Sequence, residues 1–236
     1  MTQSSTKASP FDAYADNYDA ILARGLSVFG EDKNYFARGR VVWLTKCLRR
    51  LGHQPRTVMD FGCGTGSATP FLQELLGSPL VLGLDLSPRS VELARQSYGS
   101  NSARFLVFDQ YQPKGQIDLV FCNGVFHHIP PPERAGAIDY IYRCLRPGGI
   151  FAFWENNPWN PGTRYLMSRI PFDRDAIALS PPIARRLVRE GGFDVLMTRH
   201  LFIFPRILRW LRWSEPHLAL FPLGAQYQVL CRRPNT

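Results

Sequence analysis

From residue 57 to residue 156, short and almost wholly apolar runs alternate with stretches patterned as helices. No other feature restricts the fold as much. The runs are "RTVMDF", "PLVLGLDL", "ARFLVFD", "IDLVFCNG" and "IFAFWEN"; the helical stretches are "SATPFLQELLG", "SPRSVELARQSYG" and "PERAGAIDYIYRCLRPGG". A strand that is apolar on both faces has to be covered on both, which means a parallel sheet between two helical layers. Ser87 is the expected N-cap of the second of these helices, with Pro88 at its first position and Gly99 as its stop. Two helices precede the alternation, "FDAYADNYDAIL" and "EDKNYFARGRVVWLTKCLRRLG". The second carries Phe36, Val41, Leu44, Leu48 and Leu51 at helical spacing and stops at Gly52.

After residue 156 the rhythm breaks. "NPWNPGTRYLMSRIPFDRDAIAL" reads as Pro-rich and irregular and "SPPIARRLVREGG" as a capped helix. "FDVLMTRHLFIF" and "AQYQVLCRR" read as a closing antiparallel pair. The expected fold class is therefore α/β: doubly wound, with a mostly parallel seven-stranded sheet, helices on both faces and an antiparallel last strand. A chain of 236 residues with 45% hydrophobic composition suits one domain over 11–236, behind a disordered tail at 1–10. Its parts are N-terminal helices at 11–52, a ligand-binding core at 53–156, and substrate-side elements with the closing strands at 157–236.

No run of 18 uncharged apolar residues suggests a membrane span, and the polar start does not read as a signal peptide. Five scattered cysteines read as reduced thiols in a cytoplasmic protein, with no metal expected. Seven of the nine net positive charges fall after residue 156, where twelve arginines face five acids. That imbalance suits an anionic or phosphate-bearing ligand, and equally a solvated arginine-rich face.

In "VMDFGCGTGSATP", Gly62, Gly64 and Gly66 stand between the first strand and the next helix. Such a loop lets a ligand lie against backbone N–H groups at the carboxyl end of a parallel sheet. The dinucleotide fingerprint needs glycine where Ser67 stands, and the phosphate-binding loop needs a Gly-Lys-Ser/Thr that does not follow. Both therefore fit poorly, and a nicotinamide-dependent oxidoreductase is the weaker reading. An acid does end the second strand: Asp85 in "GLDLS" is placed to accept hydrogen bonds from ribose hydroxyls.

"VMDFGCGTG" followed by "GLDLS" resembles the class I S-adenosylmethionine-dependent methyltransferases, whose fold is Rossmann-like. "VFD" at 107–109, "DLVFCNGVFHHI" at 118–129, "LRPGGIFAF" at 145–153 and "FDAYADNYDA" at 11–20 match further family elements in order. The resemblance implies S-adenosylmethionine as cofactor and S-adenosylhomocysteine as product. It implies a cofactor site built from Asp60, Gly62, Cys63, Gly64, Gly66, Asp85, Leu86, Asp109, Gln110, Asn123, Phe126 and Tyr18. In that site Asp85 would hold the ribose, Asp109 the adenine amine, Asp60 the methionyl ammonium through water, and Leu86 and Phe126 the apolar walls.

Methyl transfer is a direct displacement, so its main requirement is alignment and exclusion of water. A proton-bearing acceptor also needs a base near operating pH, for which His127 and His128 after the fourth strand are candidates. Tyr14, Trp210 and His217 are candidates for contact with the acceptor. His200 reads as structural, His53 as local to a helix end and Arg40 as a surface arginine. The resemblance lacks the motifs of base, cytosine-C5 and protein-arginine methylation, and no nucleic-acid module is present. The expected activity is methyl transfer to O, N or C of a small-molecule acceptor, with an anionic and an apolar acceptor both open; the alternative is a non-methylating member that binds the same cofactor. "RILRWLRWSEPHLALFPL" reads foremost as an amphipathic helix packed on the sheet edge, with a substrate cap or contact with a membrane surface as the other readings.

Overall fold

The chain's computed structural model describes residues 11–26, 30–77 and 80–235. The expected tail at 1–10 lies outside them. Its strands are β1 (Thr57–Phe61), β2 (Leu80–Asp85), β3 (Ala103–Val107), β4 (Ile117–Asn123), β5 (Leu145–Asn156), β6 (Asp194–Leu201) and β7 (Gln226–Arg232). They form one sheet in the order β3-β2-β1-β4-β5-β7-β6. β1 to β5 run parallel, and β7 runs antiparallel between β5 and β6. The order reverses between β1 and β4, which opens a crevice at the carboxyl ends of the central strands, the usual ligand position in such sheets.

The apolar strands divide their side chains between two cores. Val58, Leu119, Ala152 and Trp154 pack on one side with Leu44 and Leu48 of α3 (Lys33–Arg50) and Leu72 of α4 (Thr69–Leu76). Met59, Val120, Phe151 and Phe153 face the other side, with Ile138 and Ile141 of α6 (Arg134–Cys144) and Val188 of α8 (Pro181–Glu190). Neighbouring residues thus serve opposite cores, which is why these strands tolerate no polar alternation. The caps follow the sequence: Asp32 accepts from Tyr35 N at 2.8 Å, and Ser87 accepts from Ser90 N at 3.0 Å at the start of α5 (Pro88–Tyr98).

Four expectations change. The first helix is two, α1 (Asp12–Ala15) and α2 (Tyr18–Leu26). "LRPGG" does not close α6 but opens β5. The Pro-rich stretch contains α7 (Pro161–Arg169), started by Asn160, which accepts from Thr163 N at 3.0 Å, with Pro161 at the first helical position. The Arg/Trp segment is no amphipathic α-helix on the sheet edge. Arg206–Ser214 is a kinked 3₁₀ stretch leading into the short α9 (Glu215–Leu218), and it leaves Ile207, Trp210 and Trp213 83%, 67% and 75% exposed. Among the described residues no helix is long and apolar enough to cross a membrane.

Asp118 fixes the amino ends of β1 and β4. Its Oδ2 accepts from Arg56 N (2.8 Å), Thr57 N (2.9 Å) and Thr57 Oγ1 (3.1 Å), and its Oδ1 pairs with Arg146. Burial alone would raise the carboxyl pKa. Arg146 and the three donors outweigh it, so the pKa falls below the usual value. A depressed carboxyl pKa gives stability that is present above the unfolded value and lost as pH falls through the folded one. Asp118→Asn should therefore cost about 2 kcal/mol at pH 7, the order of a charge-assisted bond. The gap to wild type should begin to narrow below about pH 4, where the unfolded carboxyl protonates, and close as pH falls through the lower folded value. Urea denaturation at pH 7 and pH 3 checks this; an equal gap at both would contradict it.

Candidate active site

At the carboxyl end of β1 the chain turns through Gly62, Gly64 and Gly66, all at positive φ (73°, 53° and 82°). The three glycines serve different ends. A Cβ on Gly62 would lie 2.3 Å from Val125 Cγ2, and one on Gly66 about 3 Å from Tyr98 and Phe105, so these two allow close packing. A Cβ on Gly64 would meet nothing within 4 Å, so it alone of the three leaves open space above the loop. Asp85 holds the turn from β2. Its Oδ2 accepts from Gly64 N at 2.8 Å and its Oδ1 from Ser87 N at 2.9 Å. Burial raises its pKa, against the pull of those amides.

The N-terminal segment lies across this loop. Ser87 Oγ donates to Asp12 Oδ1 at 2.5 Å, and Arg89 pairs with Asp16 at 2.6 Å. Phe11 meets His128 edge-on at 5.0 Å between centroids. Together these elements bound a cavity of about 140 Å³ lined by Gly64, Asp85, Leu86, Phe108 and Val125. A second cavity of about 280 Å³ lies beyond it, lined in part by Arg40, Phe36, Phe172, Phe204 and Gln226. The two share Asn123, Gly124 and His128. A larger depression of about 700 Å³ lies by the amino ends of the strands, near His53 and Arg146, away from the loops that carry ligand sites in parallel sheets.

Between the cavities stands a cluster of charged side chains. His127 is 3% exposed, and its Nδ1 lies 2.6 Å from Oε2 of Glu155, which is wholly buried. Glu155 Oε1 accepts from Phe126 N at 2.7 Å. Oδ1 of Asp173 lies 3.4 Å from His127 Nε2 and 3.3 Å from His128 Nε2. Burial alone would lower the His127 pKa, but Glu155 and Asp173 outweigh it and push the pKa up to about 10. Burial would raise the Asp173 carboxyl, but the two histidines hold it below the usual value.

Several residues expected at the site are placed elsewhere. Phe126 is fully buried in the core, 4.8 Å from Phe153 between centroids, and Val125 takes its place on the cavity wall. Asp109 and Gln110 are exposed in the 3₁₀ turn after β3 and do not line the cavity; Gln110 Oε1 accepts from Val107 N, and Phe108 from the same turn is the lining residue. Cys63 is buried beneath the loop, where burial drives its thiol pKa far up. Trp210 and His217 are exposed and line neither cavity. Tyr14 packs on Phe172, 5.8 Å between centroids, and so reaches the second cavity only through that ring. The Tyr18 side chain lies outside the described residues.

Asp60 is 3% exposed beneath the loop, and its Oδ2 has no hydrogen-bond partner among the described residues. Burial, then the nearby Asp85, raises its pKa to about 7, while Arg40 pulls it back. Arg40 is buried rather than on the surface, and its NH1 donates to Gln226 Oε1 at 2.8 Å. Sequence reasoning missed Glu155 and Asp173 as site members. Glu155 carried a signal, since a lone acid in an apolar strand has to be paired when buried. Asp173 carried none.

A family model described as a methyltransferase domain matches residues 58–149. A trans-aconitate 2-methyltransferase from Acidovorax sp. (strain JS42) is 31% identical over 183 residues, 71% of this chain and 70% of that protein. One from Azoarcus sp. (strain BH72) is 30% identical over 115 residues, 49% of this chain and 45% of that protein. The aligned part thus spans about half the length of several of these curated relatives. Among solved structures, the methyltransferase bound to the Haloferax volcanii Trm112 methyltransferase activator superposes with a TM-score of 0.65 at 21% identity, covering 97% of this chain and 99% of that one. That last likeness is one of fold. With the glycine turn, the acid ending β2 and the sheet order, the sequence relationship makes this chain a member of the class I S-adenosylmethionine-dependent methyltransferases.

Proposed function

We propose that the chain transfers a methyl group from S-adenosylmethionine to a small acceptor held in the larger cavity. The observation that carries this reading is the junction of the two cavities at Asn123, Gly124 and His128. A donor in one and an acceptor in the other would meet there, in line and away from water.

The residues fit the cofactor. Asn123 Oδ1, which lines both cavities, and Asp60 Oδ2 beneath the loop are buried acceptors with no donor among the described residues; a methionyl ammonium would satisfy the first directly and the second through water. Each Asp85 oxygen already takes one backbone N–H and keeps a lone pair for a ribose hydroxyl. Leu86 and Phe108 give the adenine apolar flanks, and Gly64 leaves the loop open beneath it. Bound there, the cofactor supplies a methyl group made electrophilic by its sulfonium.

The larger cavity joins phenylalanine rings to Lys33, Arg40 and Arg212, against the carboxylates Glu31, which pairs with Arg212, and Asp173. The small excess of cations favours an acceptor bearing negative charge, and trans-aconitate, which names the relatives, is a polycarboxylate. Trp210 and Trp213 are exposed and line neither cavity, so this reading gives them no part in holding the acceptor.

Asp85→Ala should weaken S-adenosylhomocysteine by on the order of 10- to 100-fold, as for loss of hydrogen bonds to a charged group. Calorimetry on variant protein whose melting curve shows a folded state reads this. Unchanged affinity would remove Asp85 from the site.

Asp60 makes the binding pH-dependent. Below about 7 it carries a proton and offers no charge to the ammonium; above that it does. Affinity for S-adenosylhomocysteine should rise as pH increases from 6 to 7.5, and Asp60→Asn should flatten the profile. A wild-type profile already flat over that range would contradict the assignment. For the acceptor, release of S-adenosylhomocysteine should be stimulated by small carboxylates and not by neutral amines of like size; no stimulation by any carboxylate would overturn the anionic reading.

A further inference from the structure

The cluster between the cavities has the geometry of a metal site. Nε2 of His127 and Nε2 of His128 approach the same Asp173 oxygen, at 3.4 and 3.3 Å. These separations are long for charge-assisted hydrogen bonds, which run about 2.7–2.9 Å. They match the spacing of two ligands on one ion: donors about 2.0–2.2 Å from a tetrahedral zinc stand about 3.4 Å apart. The three donor atoms all lie within 4.8 Å of one another.

The remaining nitrogen of His127 supports the same reading. Its Nδ1 makes a tight 2.6 Å contact with Glu155. A metal-bound imidazole characteristically gives its second N–H to a carboxylate, which fixes the tautomer and turns the other nitrogen to the ion. Glu155 is itself held by Phe126 N, so the ring is oriented by a fully buried and fully engaged group. Charge points the same way. Two buried carboxylates, Glu155 and Asp173, converge on imidazole rings; one proton on His127 balances only one of them, and a dication in its place balances both.

We propose that His127, His128 and Asp173 bind a divalent transition-metal ion, with Glu155 positioning His127. Two imidazoles and one carboxylate suit Zn²⁺, Fe²⁺ or Co²⁺ better than Mg²⁺ or Ca²⁺, which prefer oxygen donors. Three protein ligands leave at least one position open, as in catalytic rather than structural sites. All three residues line the larger cavity, so an acceptor carboxylate or enolate oxygen would take the open position. That last role rests on the methyl-transfer reading; ion binding does not. No ligand spacing marks this set along the chain, because two ligands are adjacent and the third comes from a distant 3₁₀ turn.

The test uses the full chain prepared without a histidine tag, stripped with chelator and dialysed. It is titrated with Zn²⁺ by calorimetry and with Co²⁺ by visible absorption, and bound metal is counted by elemental analysis. One ion per chain is expected, with Co²⁺ bands of nitrogen–oxygen ligation. His128→Ala and Asp173→Ala should each weaken Zn²⁺ at least 100-fold, and Glu155→Gln about 10- to 100-fold, the range for an outer-shell partner. Wild-type protein that takes up no stoichiometric ion would overturn the proposal. So would His128→Ala binding as tightly as wild type, or a thiolate charge-transfer band placing Co²⁺ on a cysteine. S-adenosylhomocysteine binding is measured on the same samples. Its retention without metal uptake removes the ion site alone, and its absence with metal uptake intact removes the methyl-transfer reading alone.

Discussion

The site depends on one buried carboxylate. Glu155 sits near the end of β5 in a strand otherwise built for two apolar cores, and it has no contact with water. An unpaired charge there would cost several kcal/mol, so its partners have to be in place. They are Phe126 N and His127 Nδ1, both from the turn that follows β4. Gly124 N, donating to Trp154 O at 3.0 Å, ties the same turn to β5 a second time. With the turn held at both points, consecutive residues have settled directions. Val125 closes on Gly62, Phe126 enters the core, and His127 faces Asp173. The wall of the small cavity, the core beneath it and the charged cluster thus follow from one pairing.

The same pairing carries the far side of the larger cavity. Ile177 N donates to His127 O at 2.9 Å, and Arg134 NH2 donates to Ile177 O at 2.6 Å while its Nε holds Ile129 O. The stretch that presents Asp173 is therefore bound to the turn it faces. Asp173 has neither strand nor long helix to hold it, and these bonds stand in for one.

Sequence and structure agree where chemistry is local and part where it is not. The strands of the sheet were legible because burial on both faces forces continuous apolar runs. The glycine turn and Asp85 were legible because both lie within short stretches at strand ends. The larger cavity was not, since it draws Arg40 from α3, Asp173 from a 3₁₀ turn and Phe204 from the chain after β6. No spacing rule joins such positions. The Arg/Trp segment misled for another reason. Its apolar and basic residues recur at a spacing that fits an α-helix and a 3₁₀ stretch alike, and a short pattern does not separate the two. Asn160-Pro161 at the start of α7 was a start signal hidden by the prolines around it.

That segment also shows how the charge of the C-terminal third is used. Arg212 turns inward, pairs with Glu31 at 2.8 Å and lies over the Tyr35 ring at 4.5 Å. Arg206 NH1 donates to Gly30 O at 3.1 Å. Both grip the chain just before α3, and Arg212 lines the larger cavity together with Leu22 and Leu26 of α2. The hold on α1 is uneven. Arg89–Asp16 is an exposed pair, 47% and 60% open to solvent, and such pairs contribute about 0–1 kcal/mol. Asp12–Ser87 is the shorter and more buried contact, and Ser87 donates its own N–H to Asp85. The residue that fastens the N-terminal helix is therefore bonded to the acid that faces the small cavity. A displacement of one is felt by the other through a single side chain and a single amide.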